Sequence, residues 1–384
     1  MILSVLALIM IPAMVAAGGS DAWSLIALGQ GVGAIVMAFI GWGWWITGPA
    51  RIARASAIDR VLEYNASAIA RPILFLLAVA PTLGVSYLIA PHDPLAVFLG
   101  AILSASVGLS ASWYFAGIQR PYMLLAMETM PRALGTGIAI AYLLLGGNIY
   151  MGVVIQILGI VAAFVTTTVW VMTTSPTRRG LSVANPRARV LGVLWERRLG
   201  LTVSILAVTY RAMPIVLVGW FAPGALPPFA LMDKISLQIN TGIQPLISAI
   251  QGWVPHLAAD RRKLRTAFAA LIGLSLLGGV AFYLISPALT LALGAGEITP
   301  DSALIVTFSA FIALAFFDSA LFKAFLPALE KVRAASAASV ASLMIGVPST
   351  LVGVIFWGPV GAMVGVLAGL ATKITIEIVA VLRA

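Results

Sequence analysis

Apolar stretches of roughly twenty residues follow one another along this chain, and charge is confined largely to the gaps between them. A helix of that length crosses the hydrocarbon of a bilayer while satisfying its own backbone hydrogen bonds. Of the 384 residues, 61% are hydrophobic and 9% charged, with a mean hydropathy of +1.07. Soluble domains carry about 25% charge, and so little charge cannot cover a water-exposed surface of this size. The expected fold class is therefore all-α, a polytopic membrane protein. Cysteine is absent, which excludes a disulfide framework and a cysteine-ligated metal.

Twelve segments read as spans: 2–17, 24–48, 72–91, 95–116, 133–147, 150–174, 199–222, 226–253, 264–288, 302–325, 334–356 and 359–381. Residues 1–17 read alternatively as a secretory signal, but no basic lead precedes them. The loops after even-numbered spans, with the C-terminal tail, hold 19 of the 23 Lys and Arg residues. The opposite loops hold none, only Asp21, Asp93, Glu297 and Asp301. Basic residues accumulate on the cytoplasmic side. Both termini are thus expected in the cytoplasm, and the net charge of +10 reflects topology rather than nucleic-acid binding. On this reading Trp113, Tyr114 and Phe115 end the fourth span in the headgroup region, and Arg120 and Arg132 mark the cytoplasmic surface.

The most hydrophilic stretch, 175–198, falls at the midpoint. The expected domains are a six-helix lobe at 1–174, a basic cytoplasmic linker at 175–198 and a second six-helix lobe at 199–384. The second half of the linker, RARVLGVLWERR, fits a basic amphipathic helix on the inner leaflet. Corresponding points recur at offsets of about 206–210 residues: GPARIAR with VPHLAADRR, and the end of span four with that of span ten. The pattern indicates two six-helix lobes related by an internal parallel repeat, a plan that places a transport site between repeats. Gly29 and Gly33, and Gly361, Gly365 and Gly369, are spaced for close helix approach.

Four basic residues fall within spans: Arg211, Lys234, Lys323 and Lys373, with Asp233, Asp318 and Glu377 nearby in sequence. Charge at such depth costs roughly 2.5–3.5 kcal/mol on insertion scales, so it faces a cavity or a partner. Lys373 and Glu377 are spaced i, i+4 and can pair with each other, and Asp318 can pair with Lys323. On span eight, Asp233, Asn240, Gln244 and Gln251 fall within about 40° of one another at 100° per residue, flanked by Ser236 and Ser248. Pro245 interrupts that helix midway. A continuous polar stripe fits a helix lining water or substrate better than polar glue between helices. The first lobe shows no ionisable residue well inside a span. The expected cavity is therefore cationic, charged from one lobe, and suited to a phosphate-bearing substrate. The expected substrate-binding residues are Arg211, Lys234, Lys323, Asp233, Asn240 and Gln244.

The WYFAG ending of span four, followed by a basic step and Pro131-Arg132, resembles the polysaccharide-transport (Wzx-like flippase) branch of the multidrug/oligosaccharidyl-lipid/polysaccharide superfamily. ALGQGVGAIVMAFIGWGWWITGPARIAR is similar to that family's second helix and the loop after it. FALMDKISLQINTGIQPLISAIQGWVPHLAAD resembles its eighth, and FWGPVGAMVGVLAG the start of its last core helix. The resemblance implies a two-lobed helical transporter in a bacterial cytoplasmic membrane, moving polyprenyl-diphosphate-linked oligosaccharide to the outer leaflet. Its implied partners are that glycan lipid, membrane lipids, and polysaccharide polymerase or export machinery, with no nucleic acid and no cofactor beyond a coupling proton or sodium ion. Arg211 and Lys234 fit the diphosphate-binding role best. The chain departs from the family in two ways. It starts almost inside its first helix, as expected if that span is abbreviated or the true start lies upstream. It also lacks the first-lobe cavity charges of some relatives.

A cation-coupled multidrug exporter shares this architecture and would need a membrane carboxylate, for which Asp233 or Asp318 would serve. A glycan polymerase or ligase would need catalytic residues on outward loops, and these loops are short, with His92 as their one histidine. No enzyme is expected. The topology makes a direct prediction: tags inserted at 92–94 or 289–301 react with an impermeant reagent from outside intact cells, and tags at 178–189 do not.

Overall fold

The computed structural model describes residues 2–174, 186–257, 261–329 and 331–382, and every regular element among them is helical. By packing, the chain divides into two compact units, Ile2–Val216 and Leu217–Ala384. The first contains α1 (Ile2–Gly41), α2 (Trp44–Arg54), α3 (Ala57–Ile89), α4 (Pro94–Ser106), α5 (Ser112–Gly117), α6 (Pro121–Leu124), α7 (Met130–Leu144), α8 (Ile149–Thr174) and α9 (Pro186–Glu196). The division falls within α10 (Arg198–Phe221). The second unit continues with α11 (Leu226–Leu257), α12 (Arg261–Leu293), α13 (Ser302–Ala320), α14 (Leu326–Ala328) and α15 (Val332–Leu382).

Eight helical stretches among the described residues are long and apolar enough to cross a membrane. Two of them, Ile2–Arg54 and Arg333–Val381, have 53 and 49 residues, enough for two crossings each at about 1.5 Å per residue. Each is bent at a glycine with positive φ, Gly19 (+79°) in α1 and Gly358 (+58°) in α15. Each of the twelve expected segments is helical over most of its length, with breaks inside the second at Trp42–Gly43 and inside the fourth at Ser110–Ala111; α7 is short, and α11 carries the polar stripe.

Small residues set the helix contacts. A Cβ on Gly29 or Gly33 would overlap the carbonyls of Val97 and Ala101, so α1 and α4 touch backbone to backbone. Gly135 of α7 and Gly159 of α8 pack likewise. In the second unit, Gly361 and Gly365, after the bend of α15, meet Gly353 and Thr350 before it. The spans expected as five and six, and as eleven and twelve, thus cross at small residues in both units. Such a correspondence fits an internal repeat.

The aromatic triplet is not an interfacial belt. Trp113 is 2% exposed, and Tyr114 and Phe115 are equally enclosed. They form a core with Trp44, Tyr64 and Ile52. The reason is a helix break. The fourth span stops in a 3-10 turn at Val107–Leu109, Ser110 is extended, and the six-residue α5 turns the triplet inward. Arg71, expected in a loop, lies on α3, which begins at Ala57, well before the apolar run. It is 0% exposed, between the rings of Trp44 and Trp113 at 6.0 and 5.9 Å. Its Nη1 donates to the carbonyls of Ser110 (2.6 Å) and Gly108 (3.3 Å). Glu128 completes the break from the other side: Ala111 N–H donates to its Oε1 (2.6 Å) and Ser110 Oγ to its Oε2 (2.8 Å). A five-residue π-turn, Leu125–Thr129, aims Glu128 inward. Contrary to expectation, then, the first lobe holds ionisable groups deep in its core, and Arg71 and Glu128 bond to its backbone.

The expected linker lies partly outside the described residues, but its second half is helical as read. α9 is docked on the first unit: Trp42 Nε1 donates to the Leu194 carbonyl (2.8 Å), and Arg51 pairs with Glu196 (2.7 Å). Leu191 and Trp195 face outward. Arg197 is buried against Trp44 and donates to Glu63 and Thr47. Burial pushes the Arg197 pKa down, and Glu63 opposes that shift. Removing one member of a buried ion pair costs about 3–5 kcal/mol, because the other charge is stranded. Arg197→Ala is expected to lower thermal stability by an amount of that order. The double change Glu63→Gln/Arg197→Met should lose clearly less, as measured by melting in detergent.

Candidate functional site

The polar stripe runs down α11, the element least suited to lipid. Its side chains bond to the helix's own carbonyls in sequence. Ser236 Oγ donates to Asp233 O, Asn240 Nδ2 to Ser236 O, Gln244 Nε2 to Asn240 O, and Ser248 Oγ to Gln244 O, all at 2.8–3.0 Å. These back-bonds offset the cost of placing amides in a low-dielectric setting. They leave the amide oxygens available. One is taken: Lys323 Nζ donates to Gln244 Oε1 at 2.6 Å.

Lys323 sits in a second π-turn, Leu321–Phe325, which follows α13. Such a turn shifts the hydrogen-bond register by one residue. Here the Lys323 carbonyl accepts from Gln251 Nε2 at 3.1 Å. Lys323 is thus held against the stripe at both its main chain and its side chain. Ile247 and Val254 on α11 pack with Phe317, Leu321 and Phe325 and fix the two elements together.

Asp233 and Lys234 are half-buried on α11, and Asn240 lies one turn before Gln244. Arg211 is exposed on α10, within the unit Ile2–Val216. Of the six expected site residues, Gln244 and Lys323 are in side-chain contact, and Asn240 joins them through the amide ladder.

The remaining charges form a triad. Lys373 on α15 bonds Asp318 on α13, at 2.8 Å to Oδ1 and 2.9 Å to Oδ2. Glu377 is 3.8 Å from the same ammonium, and the Phe322 ring is 4.5 Å away. The expected Lys373–Glu377 contact is present, but the hydrogen bond goes to Asp318. The expected Asp318–Lys323 pair does not form, because Lys323 turns to Gln244. Glu377 is 0% exposed, and among the described residues neither carboxylate oxygen accepts a hydrogen bond. Two carboxylates share one ammonium, so one bound proton would neutralise the group. No sequence spacing links Asp318 to Lys373, 55 residues apart.

One solved structure similar to this chain is an inward-facing multidrug resistance MATE family transporter of the MOP superfamily, at a TM-score of 0.64 and 16% identity, over 99% of this chain and 93% of that one. A second is a MATE crystal structure in complex with MaL6, at a TM-score of 0.52 and 17% identity, over 100% of this chain and 92% of that one. The chain has a MATE-like fold. No family model and no curated protein matches it. Within the MATE-like fold, α11, α13 and α15 place an ammonium on a polar helix face and an acid–base triad on the neighbouring helices.

The triad predicts a pH-dependent defect. Lys373→Met leaves two buried carboxylates without their cation. The melting temperature of that variant should fall further below wild type at pH 8 than at pH 5, where protons take the place of the ammonium in neutralising the pair. Melting curves in detergent at the two pH values measure the difference.

Proposed function

We propose that this chain moves polyprenyl-diphosphate-linked oligosaccharide from the cytoplasmic to the outer leaflet of a bacterial cytoplasmic membrane, by alternating access, for cell-surface or exported polysaccharide. The observation that carries this reading is the Lys323 ammonium held on the amide ladder of α11. An ammonium binds phosphate by charge-assisted hydrogen bonds. Amide and hydroxyl groups in a row suit the hydroxyls of a glycan. Arg211 and Lys234 are assigned to the diphosphate, Lys323 to its flank, and Asp233, Asn240 and Gln244 to the polar wall. The MATE-like fold supports a transport role and a multi-pass setting, and the sequence resemblance supports the substrate. Asp318, Lys373 and Glu377 supply a proton-holding group for coupling, with sodium as the alternative ion. The protein is read as a non-enzyme with both termini cytoplasmic, working beside polymerase or export machinery.

Multidrug export is the second reading. It is favoured by the name of the first similar structure, a multidrug resistance transporter, and by the membrane carboxylates Asp318 and Glu377, which a cation-coupled exporter requires.

Proteoliposomes separate the two. Labelled polyprenyl-diphosphate oligosaccharide should cross the bilayer only with active protein, and Arg211→Ala/Lys234→Ala should slow it roughly tenfold or more while expression holds. That factor corresponds to losing one charged hydrogen bond of about 1.5–3 kcal/mol. A double variant that flips at the normal rate removes the cationic-site assignment. Movement of a cationic dye, with no movement of the glycan lipid under any ion gradient, establishes the exporter instead.

A further inference from the structure

A cavity of about 620 Å³ opens beside the helix break of the first unit, within the size range of small-ligand sites. Its walls are largely apolar and aromatic, with Met37, Trp45 and Trp113 prominent. Its polar lining is unevenly engaged. Glu128 faces the cavity, but both its oxygens are taken by Ser110 and Ala111, and the buried Arg71 guanidinium interacts with its charge. The Ser110 hydroxyl is spent on Glu128, and the Thr129 hydroxyl reaches the Leu124 carbonyl at 3.4 Å.

Arg132 is different. It lines the same cavity, half-buried, and among the described residues its side chain has no hydrogen-bond or ion-pair partner. Its i, i+4 spacing from Glu128 would ordinarily make a pair. The π-turn at Leu125–Thr129 instead directs the Glu128 oxygens to Ser110 and Ala111, so the guanidinium feels the Glu128 charge without a hydrogen bond to it. The lining carries one carboxylate and one guanidinium, and Arg71, buried outside the lining, offsets the Glu128 charge, so Arg132 is left as the group for an anion. The half-buried Ser112 adds a hydroxyl to the same lining. The exposed Arg54 and Arg120 lie within five residues of the lining Pro49 and Ala116, and exposed basic residues attract anions.

We propose that this cavity binds a phosphate-headed anionic amphiphile, with the phosphate on Arg132 and the apolar portion against Trp45 and Trp113. A guanidinium meets phosphate through paired N–H donors, and the apolar wall adds area that a free ion cannot use. Two sources share this chemistry: a membrane phospholipid and a polyprenyl phosphate. The site lies wholly in the first unit and does not rest on the transport reading.

Native mass spectrometry of the purified full-length protein, titrated with phosphatidylglycerol, phosphatidylcholine, polyprenyl phosphate or inorganic phosphate, tests it. Phosphatidylglycerol or polyprenyl phosphate should be retained at least fivefold more than phosphatidylcholine. Whichever is retained names the source. Arg132→Gln should bring retention down to the phosphatidylcholine level, and Arg132→Lys should restore part of it. Ala116→Trp, which fills the cavity from an exposed lining position and keeps Arg132, should abolish retention in protein that melts normally. Equal retention by wild type, Arg132→Gln and Ala116→Trp overturns the proposal. So does equal retention of anionic and zwitterionic lipid, or full displacement of bound lipid by equimolar inorganic phosphate.

Discussion

A backbone group inside a bilayer has no water to bond, and every departure from regular helix there must be completed by the protein itself. The first unit shows the rule at its most demanding point. The fourth span breaks at Ser110, which frees carbonyls on one side and an N–H on the other. Arg71 takes the carbonyls and Glu128 takes the N–H. A cation and an anion from two other helices are thereby fixed around one turn of chain. The aromatic core of Trp44, Tyr64, Trp113 and Phe115 packs around that arrangement, as does α9 through Arg197.

The second unit meets the same requirement differently. On α11 the polar side chains bond to carbonyls one turn back, so the stripe is largely self-sufficient. What it leaves over are acceptor oxygens, and one of these holds Lys323. The charges of α13 and α15 face each other rather than backbone, with one ammonium between two carboxylates. The first unit therefore uses charge to hold an irregular chain, and the second sets side chain against side chain between neighbouring helices.

Much of this was legible in the sequence. Span positions follow from apolar length, close helix approaches from Gly29, Gly33, Gly361 and Gly365, and the stripe from 100° spacing, because each depends on one helix at a time. Other features depend on which helix lies opposite. Arg71 and Glu128 read as loop residues because they lie at the margins of apolar runs, and only the packed helix break draws them inside. Trp113 to Phe115 read as a belt for the same reason. Lys373 has a visible neighbour at i+4, yet its shorter bond goes to Asp318, on a helix that no local pattern connects to it. The π-turns have no sequence signature beyond a proline two residues after each, at Pro131 and Pro327.

Those two turns have a consequence for how the sequence can vary. Each accommodates one residue more than α-winding requires. A single deletion in Leu125–Thr129 or Leu321–Phe325 would restore ordinary winding and keep the flanking segments in register, but it would re-aim the residues of the turn itself. Glu128 would lose register with Ala111, and Lys323 with Gln244. The extra residue in each turn is therefore what aims Glu128 and Lys323, and its loss would be felt at those two contacts rather than along the flanking helices.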